Sequence, residues 1–298
     1  FCMNKFFDYH MELEPQIKAL AATDVDILIE GETGTGKDTI ARKIFEYSSC
    51  KGEFVAVNCA AFPESLFESE LFGVVSGAYT GASKSRAGYI EKANGGILFL
   101  DEIDSTSLNI QVKLLRFLET RIISRLGSTE HIPVNLRVLT ASQTRLEDLI
   151  CKEMFRRDLF FRISTFAIQI KPLRYQREYI MTLFRRFAAE FSDKYGIPMS
   201  EIDSNLIITL LHHPWPGNIR ELKGAAQRFV LGVAPVSDHQ KKMICTDSLD
   251  AWLRDAETLF IEECLSRTAY HVESCANRLG ISKRALYYKL KRLSIELP

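Results

Sequence analysis

Hydrophobic positions gather into five short runs rich in Val, Ile, Leu and Phe: Val25–Glu30, Phe54–Asn58, Ile97–Leu100, Leu136–Ser142 and Phe166–Ile170. Such runs predict β-strands. Between them, Lys37–Tyr47 and Leu108–Thr120 carry apolar residues at helical spacing. Strands alternating with helices imply an α/β fold, a parallel sheet with helices on both faces. After Pro172 the strand pattern stops, and Arg177–Tyr195, Asp203–His212 and Asn218–Leu231 read as helices punctuated by Gly196-Ile197-Pro198 and Pro214-Trp215-Pro216-Gly217. A polar stretch over Ala234–Asp250 reads as a linker, and three short helical segments follow it, with no internal repeat anywhere.

Length and composition narrow this picture. A chain of 298 residues implies about two domains. With 46% hydrophobic and 26% charged residues it can bury a sizeable core, which argues against general disorder. Lys and Arg total 38, as do Asp and Glu, so any nucleic-acid site must be local. No apolar run approaches the length of a membrane span, and Phe1–Lys5 lacks the charged-then-apolar order of a signal peptide. The initial Phe leaves open that the natural start lies upstream. Seven scattered cysteines, without a C-x-x-C pair, predict reduced thiols in a cytoplasmic protein rather than a disulfide framework or a zinc ribbon. Adjacent His212 and His213 make a poor metal pair, because neighbouring helical residues point in different directions.

The most specific chemistry lies in Gly31-Glu32-Thr33-Gly34-Thr35-Gly36-Lys37, which fits G-x-x-x-x-G-K. It directly follows a predicted strand and opens a predicted helix, the context that phosphate binding requires. Glycines let backbone N–H groups turn inward around phosphate oxygens, the helix N-terminus adds a favourable dipole, and Lys37 reaches the β- and γ-phosphates. Asp38 stands where a Ser or Thr hydroxyl usually meets magnesium, with Thr39 one position later, so the protein ligands of Mg2+ stay open. Ile97–Leu100 runs into Asp101-Glu102. An apolar strand ending in two carboxylates is by itself more often a solvated strand end. Paired with the phosphate loop, it makes Asp101 the candidate magnesium holder, directly or through water, and Glu102 the group that polarises the attacking water. The two motifs together read as the halves of a nucleotidase.

Positive charge concentrates at the other end. Ala276–Pro298 holds six basic residues against the single acid Glu296. Ala276–Ser282 followed by Lys283–Leu293 reads as helix, turn, helix: Gly280 permits the turn, Ser282 caps the second helix, and Leu286, Leu290 and Leu293 form one apolar face. Ser282, Lys283, Arg284, Tyr287, Tyr288 and Lys289 then fall in the turns available to DNA. The other reading of this segment is a basic amphipathic helix used for packing.

Glu70-Leu71-Phe72-Gly73 followed by Gly77-Ala78-Tyr79-Thr80-Gly81-Ala82 resembles the sigma-54-contacting loop of bacterial enhancer-binding proteins, the AAA+ activators of sigma-54 RNA polymerase. Tyr79 replaces the usual Phe and keeps the ring. The resemblance runs from about Asp24 to Leu231 and resumes at the C-terminus. It implies that Asn58 is the switch asparagine and that Ala141-Ser142-Gln143 is the first sensor, with Gln143 longer than the usual Asn. It implies that Phe155–Arg162 carries trans-acting arginine fingers at Arg156 and Arg162, and that Trp215–Leu222 is the lid motif with Arg220 as second sensor. Lys171–Arg177 stands where the family reads Pro-Pro-Leu-Arg-Glu-Arg. The C-terminal helices resemble the Fis-type helix-turn-helix, and the Ala251–Ala269 helix is expected to dimerise.

These likenesses imply an AAA+ core over residues 1–171, a helical lid over 172–233, a linker over 234–250 and a DNA-binding domain over 251–298. They imply ATP with Mg2+ as the nucleotide, upstream DNA and sigma-54 RNA polymerase holoenzyme as partners, a homo- or hetero-oligomeric ring, typically a hexamer, and no membrane. The short segment before the first strand leaves no room for a receiver domain. That feature, with Gly73-Val74-Val75-Ser76-Gly77, resembles the HrpR/HrpS-type regulators of type III secretion in plant-pathogenic bacteria, and implies control by an inhibitory protein partner. Two other readings stand beside this one: an AAA+ machine acting on another substrate, and a DNA-binding regulator that binds ATP without remodelling.

Overall fold

The computed structural model describes residues 11–78, 84–236, 268, 270–293 and 295, with isolated positions between 254 and 265. Tyr79, Thr80, Gly81 and Ala82, most of the linker and most of the Ala251–Ala269 segment lie outside the described residues. The chain divides into two units, Phe1–Tyr179 with Trp215–Lys223 and Ile180–Pro214 with Gly224–Pro298.

The first unit is built on the strands β1 (Ile27–Glu30), β2 (Phe54–Asn58), β3 (Ile97–Asp101), β6 (Arg137–Ser142) and β7 (Ala167–Gln169). They pair in the order β2-β3-β6-β1-β7, every pair parallel. A separate two-stranded ribbon joins β4 (Ile122–Ile123) to β5 (Ile132–Pro133). Side chains alternate faces along a strand, yet all of Ile97–Leu100 and all of β6 are buried. Both faces of the sheet centre are therefore covered. Leu98, Leu100 and Val138 share one core with Leu114 and Phe117 of α5 (Leu108–Thr120) and Leu159 of α7 (Arg157–Ile163). Also in this unit are α1 (Glu14–Ala21), α2 (Lys37–Tyr47), α3 (Glu64–Phe72), α4 (Tyr89–Lys92) and α6 (Leu146–Cys151).

The second unit holds most of α8 (Glu178–Tyr195), α9 (Ser204–His212) and the end of α10 (Asn218–Val230). Asp203 caps α9 by accepting from the Leu206 N–H at 2.7 Å. Phe184 packs on Phe229 with ring centroids 5.5 Å apart. Nearer the C-terminus, α11 (Val272–Arg278) and α12 (Lys283–Arg292) bury Cys275, Ala276, Leu286 and Leu290 with Ile261, Cys264 and Leu265. No described helix is long and apolar enough to cross a membrane.

Candidate nucleotide site and its flanking interfaces

The phosphate loop leaves β1 at the C-terminal edge of the sheet. Gly34 and Gly36 take φ of 77° and 93°, a left-handed backbone that L side chains resist, so these two glycines are required by the turn. The Thr35 hydroxyl, fully buried, donates to the Glu32 carbonyl at 2.7 Å. Lys37 opens α2 and is buried; its ammonium donates to the Gly31 carbonyl at 2.7 Å and to the Glu32 carbonyl at 3.2 Å. Burial lowers its pKa, and the nearby charges of Asp101, Asp104 and Glu102 oppose that fall.

One strand, β6, lies between β1 and β3, so Asp101 ends about 10 Å across the same edge from the loop. Burial raises the Asp101 pKa, with Lys37 as the main opposing charge. Asp101 Oδ1 accepts from the Glu102 N–H at 3.0 Å, and Glu102 holds φ of 56°, a strained conformation for a residue with a Cβ. The donor set suits magnesium, which uses one or two carboxylates and completes its shell with water and phosphate oxygens. Asp101 offers that hard oxygen. Asp38 is exposed, and its carboxylate pairs with Arg42 at 3.1 Å. Among the described residues no group of three or more His, Cys, Asp or Glu could hold a metal.

Asn58 lies in register with Asp101 on the neighbouring strand, and its side chain accepts from the Ala60 N–H at 2.8 Å. Gln143, at the end of β6, reaches the loop itself: its Oε1 accepts from the Thr33 hydroxyl at 2.5 Å. The longer amide thus spans to the phosphate loop. Asp104 supports this position, accepting from the N–H groups of Gln143 at 3.4 Å and Thr144 at 3.1 Å.

A clasp not foreseen from the sequence joins the loop to the start of α10. Asn218 is fully buried with φ of 49°, a conformation that asparagine tolerates better than most residues. Its Nδ2 donates to the Thr33 carbonyl at 3.0 Å and the Glu32 carboxylate at 3.3 Å, while its Oδ1 accepts from the Leu173 N–H at 2.8 Å. Arg174 forks onto both Glu32 oxygens at 2.7 and 2.6 Å, which holds the Glu32 pKa below its usual value. The Ile219 N–H donates to the Gly34 carbonyl at 2.9 Å, and a Cβ at Gly34 would stand 2.3 Å from the Gly217 carbonyl. Arg220 follows, exposed, and its charge contributes to lowering the Lys37 pKa.

The two candidate fingers sit elsewhere. Arg156 precedes α7 and forks onto Asp158 at 3.0 and 2.6 Å. Arg162 donates to the Leu118 carbonyl at 2.9 Å and pairs with Asp26 at 3.3 Å, and Asp26 also pairs with Arg121. Asp26 immediately precedes β1, whereas the phosphate loop follows it. The four residues of β1 span about 13 Å, so Arg162 is held at the opposite edge from its own loop.

The stem of the 77–82 loop is closed by reciprocal hydrogen bonds between Val74 and Arg86, at 3.0 and 2.8 Å, with Gly77 and Ala78 just beyond. The ribbon loop braces it: the Val75 N–H donates to the Leu126 carbonyl at 3.0 Å, and a Cβ at Gly127 would meet the Ala78 Cβ at 2.7 Å. In the C-terminal helices, Ser282 caps α12 by accepting from the Ala285 N–H at 3.1 Å. Lys283, Arg284, Tyr287 and Tyr288 are exposed. Lys289 is not: it is half-buried and pairs with Glu257, as does Arg292. The sequence pattern gave Lys289 a place on the exposed turns, but Glu257, distant in the chain, draws it inward.

A parallel sheet in this order, with a phosphate loop after β1, carboxylates after β3 and a helical lid, defines an AAA+ nucleotide-binding protein joined to a helix-turn-helix. Family models agree: a sigma-54 interaction domain over residues 8–169, an AAA+ ATPase lid domain over 174–258 and a Fis-family bacterial regulatory protein over 253–293. The pathogenicity locus probable regulatory protein WtsA of Pantoea stewartii subsp. stewartii is 50% identical over 97% of this chain and 89% of its own. HrpS of Pseudomonas savastanoi pv. phaseolicola is 47% identical over 93% and 92%. The structure of NtrX from Brucella abortus in complex with ATP superposes with a TM-score of 0.73 at 28% identity, covering 98% of this chain and 69% of that one. The chain belongs to the sigma-54-dependent transcription activators, close to the HrpS and WtsA pathogenicity regulators.

Proposed function

We propose that this activator hydrolyses ATP between the subunits of a ring, typically a hexamer, and uses the cycle to drive the Gly77–Ala82 loop against sigma-54. Remodelling of the closed polymerase complex then lets promoter DNA melt. The observation that carries this reading is the split between the two sheet edges. Loop, Asp101 and Glu102 share one edge, while Arg162 is tied to the other by Asp26. A site so divided is completed by the arginine of a neighbour, whose planar guanidinium suits the charge spread over transferring phosphoryl oxygens.

In this reading Gly31–Lys37 and Asp38 line the phosphates, Gln143 and Arg220 report on them, and Glu102 orients the attacking water. Asn58 sits beside Asp101 to gate Glu102. Bound at Asp101, Mg2+ supplies charge neutralisation on the phosphate oxygens. Residues 1–171 form the ATPase core, 172–233 the lid, 234–250 a linker and 251–298 the DNA-binding domain. Ser282, Lys283, Arg284, Tyr287 and Tyr288 face upstream DNA, with Lys289 held as a structural support. WtsA and HrpS are named for pathogenicity loci, and type III secretion genes are the targets in this reading, with an inhibitory protein partner as the control and the cytoplasm as the place of action.

The test is open-complex formation on a sigma-54 promoter carrying upstream DNA, with ATP against a non-hydrolysable analogue. Opening with ATP alone supports the reading. Opening with either nucleotide would leave a regulator that binds ATP without needing turnover.

A further inference from the structure

The N-terminal edge of the sheet carries a cavity that the nucleotide chemistry does not use. Segments leading into β1, β2, β3 and β6 converge there and enclose about 510 Å³. That volume falls within the range of small-ligand sites, about 300–1,000 Å³. Its charged lining is Arg121, Arg137 and Lys51 against Asp24 alone.

Both guanidinium groups are incompletely satisfied. Arg137 is only 7% exposed. Its Nε donates to the Val25 carbonyl at 2.7 Å and its Nη2 to the Leu20 carbonyl at 3.0 Å, both neutral acceptors. Its Nη1 has no acceptor, and neither has Nη1 of Arg121, whose Nη2 pairs with Asp26; both nitrogens are buried, so an anion in the cavity reaches them only with a shift of the guanidinium groups. Burial lowers the Arg137 pKa, and Asp24 and Asp26 only oppose that fall. A buried cation with an idle N–H carries a desolvation cost that a charge-assisted hydrogen bond would offset. Planar N–H forks match carboxylate and phosphate oxygens.

We propose that this cavity is a binding site for a small multivalent oxyanion, carboxylate or phosphate, held by Arg121 and Arg137 with Lys51 at the rim. The site stands apart from the subunit's own phosphate loop, at the other end of β1, and its Arg121 shares Asp26 with Arg162.

Cys50 offers a local reporter, since it is a free thiol in the cavity wall that donates to the Gly95 carbonyl at 3.3 Å. Alkylation of Cys50 by iodoacetamide, an uncharged reagent, would be followed by peptide mass spectrometry in the full chain. Lys37→Ala serves as the background, to weaken the phosphate loop. Citrate or inorganic pyrophosphate, at ten times its dissociation constant, should slow alkylation about tenfold. Lys51→Glu, an exposed rim position, should remove most of that protection. Protection by citrate alone assigns a carboxylate ligand, and by pyrophosphate alone a phosphate. An unchanged Cys50 rate with both anions at about 10 mM, equal protection by sodium chloride of matched ionic strength, or full protection in Lys51→Glu would overturn the proposal.

Discussion

The groups proposed to act on nucleotide are held differently at the two edges of the sheet. At the phosphate edge, the two charges nearest the loop lean on main-chain partners: buried Lys37 on the Gly31 and Glu32 carbonyls, half-buried Asp101 on the Glu102 N–H. At the N-terminal edge, charges are held by other charges, with Asp26 pairing to both Arg121 and Arg162. The first arrangement fixes atoms around a ligand; the second presents a cation that remains 35% exposed on its side chain. In the proposed cycle a single subunit carries two halves of a reaction site at opposite sheet edges, and assembly is then a condition of catalysis rather than an accompaniment to it.

The largest expected effect comes from breaking the N-terminal edge. Arg162→Ala should lower ATP turnover about 10⁴-fold, the scale of a trans arginine, while nucleotide binding by the isolated subunit stays unchanged. A steady-state phosphate-release assay beside equilibrium nucleotide titration reads both. On the phosphate edge, Glu102→Gln should lower turnover about 10³-fold and also leave binding intact. If either variant lost binding in step with turnover, the edges would not divide the labour as described.

Asn218→Ala sharpens the comparison at a distance from the chemistry. It strips the Leu173 N–H and the Thr33 carbonyl of their partner and leaves alanine at φ of 49°. A stability loss of about 2 kcal/mol is expected in urea unfolding. The KM for ATP should rise more than kcat falls, because the variant loosens the loop rather than the carboxylates. Asn218→Gly tolerates the backbone and should be the milder of the two.

The smallest effect concerns Glu30, the last residue of β1. Burial, and then the charge of Glu147, raises its pKa, and one of its oxygens has no hydrogen-bond partner. A carboxyl raised in the folded state contributes stability that is full below the ordinary carboxylate pKa, about 4.3, and is lost as pH rises through the folded value. Glu30→Gln should therefore raise the melting temperature at neutral pH, with the gain vanishing in acid. Melting curves at the two pH values check the sign.

Much of the phosphate edge was legible because its signals are local. Gly31–Lys37 is a contiguous motif, Lys37–Tyr47 and Leu108–Thr120 form helices with those bounds, and the five strands fall within two residues of their predicted ends. Helix α3 escaped because Leu66, Phe67, Leu71 and Phe72 spread around its circumference, and Leu66 stays 46% exposed. The N-terminal edge was illegible for another reason. Asp26, Arg121 and Arg162 lie far apart in the chain, and no spacing marks residues that meet only through the sheet. Asn218 stood inside a quoted motif, yet nothing in its identity announced the contact with Thr33. The ion pair of Lys289 escaped similarly, since its basic run was visible but its partner Glu257 was not.

Arg162 is proposed to serve a neighbour's nucleotide, and mixing two inactive chains tests that role directly. Arg162→Ala lacks the finger but keeps an intact phosphate loop; Lys37→Ala lacks nucleotide affinity but keeps the finger. Each alone should be inactive, and co-assembled rings should regain ATP turnover where an intact loop meets an intact finger. Mixed rings, verified by mass, that stay as inactive as either parent would contradict the division of the site between subunits.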